Sequence, residues 1–300
     1  MIGIYMLAKL KVKFEWYSNR IFSEVYLKKV KLLSRYKNKV KAHTLPQKLV
    51  ISLTSYRLRF VTLYPTILSL IQQDIAPDII VLWVSKEDYN YIPENIMKLQ
   101  GRVNDKNTVF VISKTIDFGP YTKIIPALER YSDFFIVTAD DDIYYPNWWL
   151  KLLLKEYNGN NKEIICYLAH EITLDLNTNT INPYGAWIKN KTTNVDSLLG
   201  FPLGVGGVLY PPASLHELVT NDSVFLKESP MADDIWLFWM ARKQGSVTKK
   251  TSKKFKAICW PDSQKIGLLT SNVNNNKNDK KIKNMLQTFG WPIKKKRTSV

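Results

Sequence analysis

The chain has 300 residues, 45% of them apolar and 12% aromatic, which is ample for a buried core and excludes disorder over its bulk. Its net charge of +17 sits at the ends: residues 1–42 carry a net +9 and residues 271–300 a net +7, leaving +1 for the body between them. A nucleic-acid-binding domain would spread its charge over the folded face that meets phosphate, so this distribution argues against one. No apolar run reaches the roughly 18 residues of a spanning helix. The opening MIGIYMLAKLKVKF has its lysines after the apolar stretch and no small-residue cleavage site, so secretion is not expected. Cys166 and Cys259, both in strand-like apolar context, fit neither a disulfide scaffold nor a Cys-ligated zinc site and suit a reducing compartment.

Along the chain, Leu7, Leu10, Phe14, Tyr17, Ile21 and Val25 recur at steps of three and four, which predicts an amphipathic basic helix in an arm spanning residues 1–42. Such a helix packs on its own domain or docks on a membrane surface or partner. From Lys48 the pattern changes to short apolar runs, LVISL, IIVLWV, TVFVIS and FFIVTA, which read as strands. Helical stretches at Val61–Gln73, Thr122–Tyr131 and after Pro146 separate or follow them, so a largely parallel sheet covered on both faces is expected over residues 43–270. A further strand reads at Ile164–Leu168, a glycine-rich segment at Gly204–Gly207, and a helix at Asp233–Lys243 ended by Gly245. Residues 271–300 form a basic Asn/Lys-rich tail, read as loop or mobile chain with a short helix at Lys281–Phe289.

The strongest chemical signal is FFIVTADDDIYYP, an apolar strand ending in Asp140, Asp141 and Asp142. Ligands of parallel sheets bind beyond the carboxyl ends of the strands, and three clustered carboxylates call for a cation. Oxygen-only ligands favour a hard ion such as Mg²⁺ or Mn²⁺, and Asp140 and Asp142 share a face. Turn and cap aspartates would explain one such residue but not three. Asp233 and Asp234, in SPMADDIWLFWMARKQG, fall at a helix start, where capping explains one acid and a general base toward a hydroxyl would explain another. Lys123 in GPYTKIIPAL could meet phosphate or solvent, and Gly204, Gly206 and Gly207 could let backbone approach a ligand. Trp187 and Trp236 could stack on a sugar or belong to an aromatic core.

Taken in order over Lys48–Ile266, VISLTSYRLRF, SLIQQDIAPDIIVLWVS, DFGPYTKIIPAL, FFIVTADDDIYYP, GVGGVLYPP and MADDIWLFWMA resemble bacterial GT-A-fold glycosyltransferases of polysaccharide and lipooligosaccharide biosynthesis. The resemblance implies a Rossmann-like α/β domain and transfer of a sugar from a nucleotide sugar, UDP-sugar first, to a glycan acceptor. It places the metal-binding Asp-X-Asp motif at Asp140 and Asp142, with Asp141 between them. Thr54, Ser55, Tyr56, Arg57, Lys123, Asp140 and Asp141 would then line the donor. Trp187, Gly206, Gly207 and Trp236 would line the acceptor or sugar pocket. Asp234, with Asp233 second, would supply the base of an inverting mechanism, and Asn278–Asp279 would match a C-terminal Asn-Asp pair of the family.

A metal-dependent nucleotidyltransferase is the rival enzyme, but the sugar-phosphate type needs a glycine-rich, arginine-containing loop where this chain has SLTSYRLRF. A non-enzymatic basic binder of membrane or nucleic acid would explain the arms and leave the five acids unexplained. The neutral body between basic arms predicts a cytoplasmic enzyme held on the anionic inner face of the cell membrane, acting on a lipid-linked glycan and binding no nucleic acid.

Overall fold

The computed structural model describes residues 20–32, 40–175, 177–178, 180–191, 197–261, 263 and 277–293. Its core is an eight-stranded sheet flanked by helices on both faces, the α/β class expected. In chain order the elements are helix α1 (residues 20–32), β1 (Lys41–Ala42), β2 (Leu49–Thr54), α2 (Phe60–Ile71), β3 (Ile75–Ala76) and β4 (Ile79–Ser85). Next come α3 (Glu94–Met97), β5 (Gly101–Arg102), β6 (Val109–Thr115), α4 (Ile125–Arg130), β7 (Phe135–Ala139), α5 (Trp149–Lys155), β8 (Glu163–Cys166) and β9 (Ala169–Glu171). The chain continues with β10 (Gly200–Pro202), β11 (Val208–Tyr210), α6 (Asp222–Glu228), α7 (Asp233–Lys243), β12 (Val247–Lys250) and α8 (Lys277–Phe289).

The sheet runs β12-β8-β11-β7-β2-β4-β6-β5, and only β11 and β5 lie antiparallel to their neighbours. Side chains alternate across a strand, and here the alternation divides two cores. Leu49, Ile51 and Leu53 of β2 pack with Leu63 and Ile67 of α2, whereas Val50 joins Ile125 of α4 and Ile235 of α7 on the other face. Because β2, β4 and β7 are parallel, their carboxyl ends share one edge. Antiparallel β11 begins at that same edge, with Val208 opposite Thr138, so the Gly204–Gly207 turn is delivered beside the end of β7. The three-residue β11 escapes the sequence reading because its paired length is too short for a period of two to emerge.

Thr122–Tyr131 is a 3-10 turn, Gly119–Lys123, followed by α4, rather than one helix. Pro126 sits in the first turn of α4, where its missing N–H costs nothing, and it bars a continuous helix through the preceding residues. Helix α7 starts and stops as expected, and Gly245 closes it at φ +80°. Its flanks are apolar and buried nearly all round, since it lies between the sheet and α8. Arg242 crosses that interior with donor bonds to the carbonyls of Ser197, Leu198, Gly200 and Ser246 and to the Thr248 hydroxyl.

Both ends carry structure beyond the sequence reading. β1, inside the expected arm, pairs in parallel with β3, so the body begins before His43. In the tail, α8 starts at Lys277 and packs Ile282 and Met285 into the core with α7, while Trp239 donates to Gly290 O at 3.1 Å. On α1, Val30 packs against Leu68, Tyr144 and Trp260, with Tyr26 stacked on Tyr144. The opposite side leaves Ile21 and Val25 exposed at 62% and 56%, so these members of the periodic stripe face away from the body. Leu7, Leu10, Phe14 and Tyr17 lie outside the described residues.

Candidate active site

The apolar run of β7 ends at Ala139, and the next three residues are the aspartates, at the carboxyl edge of the sheet. Each is fixed by a different neighbour. The Asp140 backbone N–H donates to the Tyr145 hydroxyl at 2.8 Å, and its carboxylate takes Lys123 Nζ at 3.0 Å. Asp141 accepts the Ser55 hydroxyl at 2.6 Å, and Arg59 Nη2 lies 3.1 Å from its other oxygen. Asp142 ion-pairs with the same Nη2, and its carbonyl accepts the Trp260 N–H at 2.9 Å. Burial pushes the Asp141 carboxyl up to about 7 against the opposing pull of Arg59, and burial also raises Asp142.

Lys123 ends the Gly119–Lys123 turn, whose last carbonyl accepts the Ser52 hydroxyl at 2.6 Å, tying the turn to β2. Its ammonium lies between two acid groups, 3.0 Å from Asp140 Oδ1 and 3.1 Å from Asp233 Oδ2. Burial works against this charge, but Asp140, Asp233 and Asp234 outweigh it and hold the ammonium well above the usual lysine range. Asp233 and Asp234 occupy the first turn of α7 without capping it, because the cap position is Ala232 and no side chain fills that role. Met231, just before, holds φ +58°, a strained conformation for a residue with a side chain, and Tyr121 donates to Ser229 O at 2.6 Å to pin the approach. Asp234 accepts the Gly204 N–H at 3.1 Å. Burial first, and the adjacent Asp233 charge second, push the Asp234 carboxyl up, with Lys123 opposing.

Asp140, Asp141, Asp142, Asp233, Asp234, Lys123 and Ser55 therefore come together. Tyr56 joins their field: burial raises its phenol, and Arg59, Asp141 and Asp142 act on it. Thr54 instead donates to Trp83 O at 3.0 Å, and Arg57 turns away to lie 3.7 Å over the Tyr91 ring. The Trp187 and Trp236 rings are buried, donating to Asn182 O and Val219 O, so they pack the core and offer no free face to a sugar. Gly206 and Gly207 serve Trp149: Gly206 O accepts its indole N–H, and a Cβ at Gly207, where φ is +88°, would collide with its ring. Gly204 is the glycine that faces the acids. Asp279 accepts the Tyr184 N–H at 2.6 Å. A cavity of about 300 Å³ between α1 and α2 is lined by Lys29, Gln72, Asp74 and Asn147 and by none of these acids.

Arg59 and Tyr145 are the residues sequence reasoning missed. The signal for Arg59 was present in SYRLRF, since a turn of three residues after β2 presents its two arginines in different directions.

The donor set is all oxygen. Among the described residues no three His, Cys, Asp or Glu side chains converge on one point. A Mg²⁺-like cation bound together with a diphosphate needs only one or two carboxylates, so Asp140, whose side chain is 27% exposed, together with Asp142 fits that requirement.

No family model matches the chain, and no curated protein matches it. Solved structures align with the chain at 11–15% identity and TM-scores of 0.38–0.43. GalNAc-T7 with UDP, GalNAc and Mn²⁺ aligns over 73% of this chain and 46% of its own, with a TM-score of 0.43 and 11% identity. Residues 1–349 of S. aureus TarS align over 81% of this chain and 72% of their own, at 0.42 and 15%. The inositol-1-phosphate CTP transferase from T. maritima aligns over 83% and 98%, at 0.38 and 15%. The chain spans less than half of GalNAc-T7. The functional reading therefore rests on the chemistry of the site.

Proposed function

We propose that the protein is a metal-dependent GT-A-type glycosyltransferase that moves a sugar from a nucleotide sugar, UDP-sugar first, to a glycan acceptor by inversion. One observation supports this reading: Lys123 bridges Asp140 of the strand-end triplet to Asp233 of the helix-start pair, so the two acid clusters lie side by side. A cation held by Asp140 and Asp142 would neutralise the leaving diphosphate. Asp234 takes the proton of the acceptor hydroxyl, and its raised pKa brings it closer to the working pH of a general base. Lys123 pairs with Asp233 and the Gly204 N–H with Asp234, so the two acids have different partners, in keeping with different roles. Ser55 keeps Asp141 oriented on the donor side.

Calorimetry with UDP tests the donor half. UDP should bind with Mn²⁺ or Mg²⁺ and lose its affinity in chelator and in Asp142→Asn; unchanged affinity in either overturns the metal assignment. Release of pyrophosphate instead of a nucleoside diphosphate during turnover would favour nucleotide transfer.

The cytoplasmic, membrane-peripheral setting and the lipid-linked acceptor belong to the same reading. Among the described residues no helix is long and apolar enough to cross a membrane. Support comes from α1, where Ile21, Phe22, Val25 and Leu32 stand exposed beside exposed Lys28, Lys29 and Lys31. Anionic liposomes should sediment the full chain at low salt and release a chain starting at His43; equal binding by both overturns this setting.

A further inference from the structure

Arg59 closes the three-residue turn after β2 and reaches under the aspartate loop with its side chain 13% exposed. Guanidinium groups normally meet carboxylates as a fork, with two nitrogens on two oxygens. Here the nitrogen nearest to Asp141 Oδ1 and the one nearest to Asp142 Oδ2 are the same, Nη2. Nε, also buried, has no hydrogen-bond partner among the described residues. The group acts as a point charge shared by two carboxylates, which is how a bridging metal ion acts, and it forgoes the fork that would make the pair strong. Lys123 is committed on the other side to Asp140 and Asp233. Among the described residues four carboxylates, Asp140, Asp141, Asp142 and Asp233, thus meet two cationic side chains, so acid groups outnumber the cations that pair with them and leave room for a divalent ion.

We propose that Arg59 is a built-in counter-ion, which holds Asp141 and Asp142 paired in the metal-free protein and yields Asp142 to the divalent cation. This rests on the metal-dependent donor site proposed above. The exchange has a thermodynamic signature. A cation arriving alone must displace the guanidinium and leave it without an anion, so its affinity is low. Arriving with a diphosphate, it frees Arg59 beside a new anionic partner. Metal and nucleotide therefore help each other bind, beyond the chelation that UDP offers in solution.

The test is calorimetric, on the full chain, with MnCl₂ alone and then with UDP. Arg59→Gln should bind Mn²⁺ alone about tenfold more tightly than the native protein, because a competing pair formed about nine-tenths of the time leaves one-tenth of the molecules competent. The extra affinity that UDP confers on Mn²⁺ should shrink by the same factor. Thermal melts give a second readout: Arg59→Gln should melt lower in chelator and recover with Mn²⁺, while the native melt stays nearly independent of chelator. If Arg59→Gln does not fold, Arg59→Lys retains the charge but ends one atom short of the Nη2 position, so its hold on the two carboxylates weakens, and its Mn²⁺ affinity should rise about threefold. Equal Mn²⁺ affinity in native and variant proteins overturns the exchange, and a loss of stability that Mn²⁺ does not restore identifies Arg59 as a structural pair only. Native protein that binds UDP only with Mn²⁺, while the variants hold Mn²⁺ no more tightly, overturns this inference alone. Native protein that binds UDP equally well in chelator overturns the donor site and the exchange together.

Discussion

Asp140, Asp141 and Asp142 hang from the end of a buried strand, whereas Asp233 and Asp234 open a helix, and the two groups meet at Lys123. The triplet is compensated from outside its own element, by Arg59 and Lys123, and its backbone is locked by Tyr145 and Trp260. The pair is compensated unevenly. Asp233 has the lysine at 3.1 Å, and Asp234 has the single Gly204 N–H at the same distance. A direct ion pair favours the ionised carboxylate and opposes the effect of burial on Asp141 and Asp142, whereas Asp234, which has none among the described residues, holds its proton more tightly. Adjacent acids in one sequence motif can thus be given different chemistry by their partners.

The largest expected effect breaks this contrast at Asp234. Asp234→Asn should lower turnover by about 10²–10⁴-fold, the usual contribution of a general base, while UDP affinity measured by calorimetry stays near native. Near-native turnover would move the base elsewhere, and loss in Asp233→Asn alone would exchange the two roles. The pH profile sharpens the same point. A base must be deprotonated to act, and Asp234 is raised by burial and by Asp233, so kcat/KM should fall as pH drops through a value well above the ~3.9 of an ordinary aspartate. Removing the like charge in Asp233→Ala should move that acid limb to lower pH.

A smaller effect is expected at the glycine between the groups. A Cβ at Gly204 would lie 3.0 Å from Lys123 Nζ and 3.2 Å from Asp234 Oδ1, so Gly204→Ala should shift both by a few tenths of an ångström. Turnover should drop about tenfold, since catalytic geometry tolerates little displacement, with a melting temperature close to native. Native turnover in Gly204→Ala would show that the site has slack between its two halves.

Much of this was legible in the residues alone. Continuous apolar runs such as IIVLWV announce buried parallel strands, and in a parallel sheet three acids after such a run fall at its carboxyl edge. The bounds of α7 were also readable, because Gly245 and the acidic start punctuate it. Other features depend on contacts between distant segments. Trp187 and Trp236 carry no local mark that separates a sugar platform from a core ring, and only their neighbours put them inside. Gly206 and Gly207 look like ligand-approach glycines until Trp149, distant in sequence, is seen to need the space. Which arginine of SYRLRF meets the aspartates depends on the direction of one 3-10 turn. Periodicity and composition are local properties, so the sequence by itself determined the α/β class, the acid clusters and the basic ends. The pairing of Lys123 with both clusters, the place of β11 and the docking of α8 join residues far apart along the chain, and only the packed tertiary structure decides which of them share a neighbour.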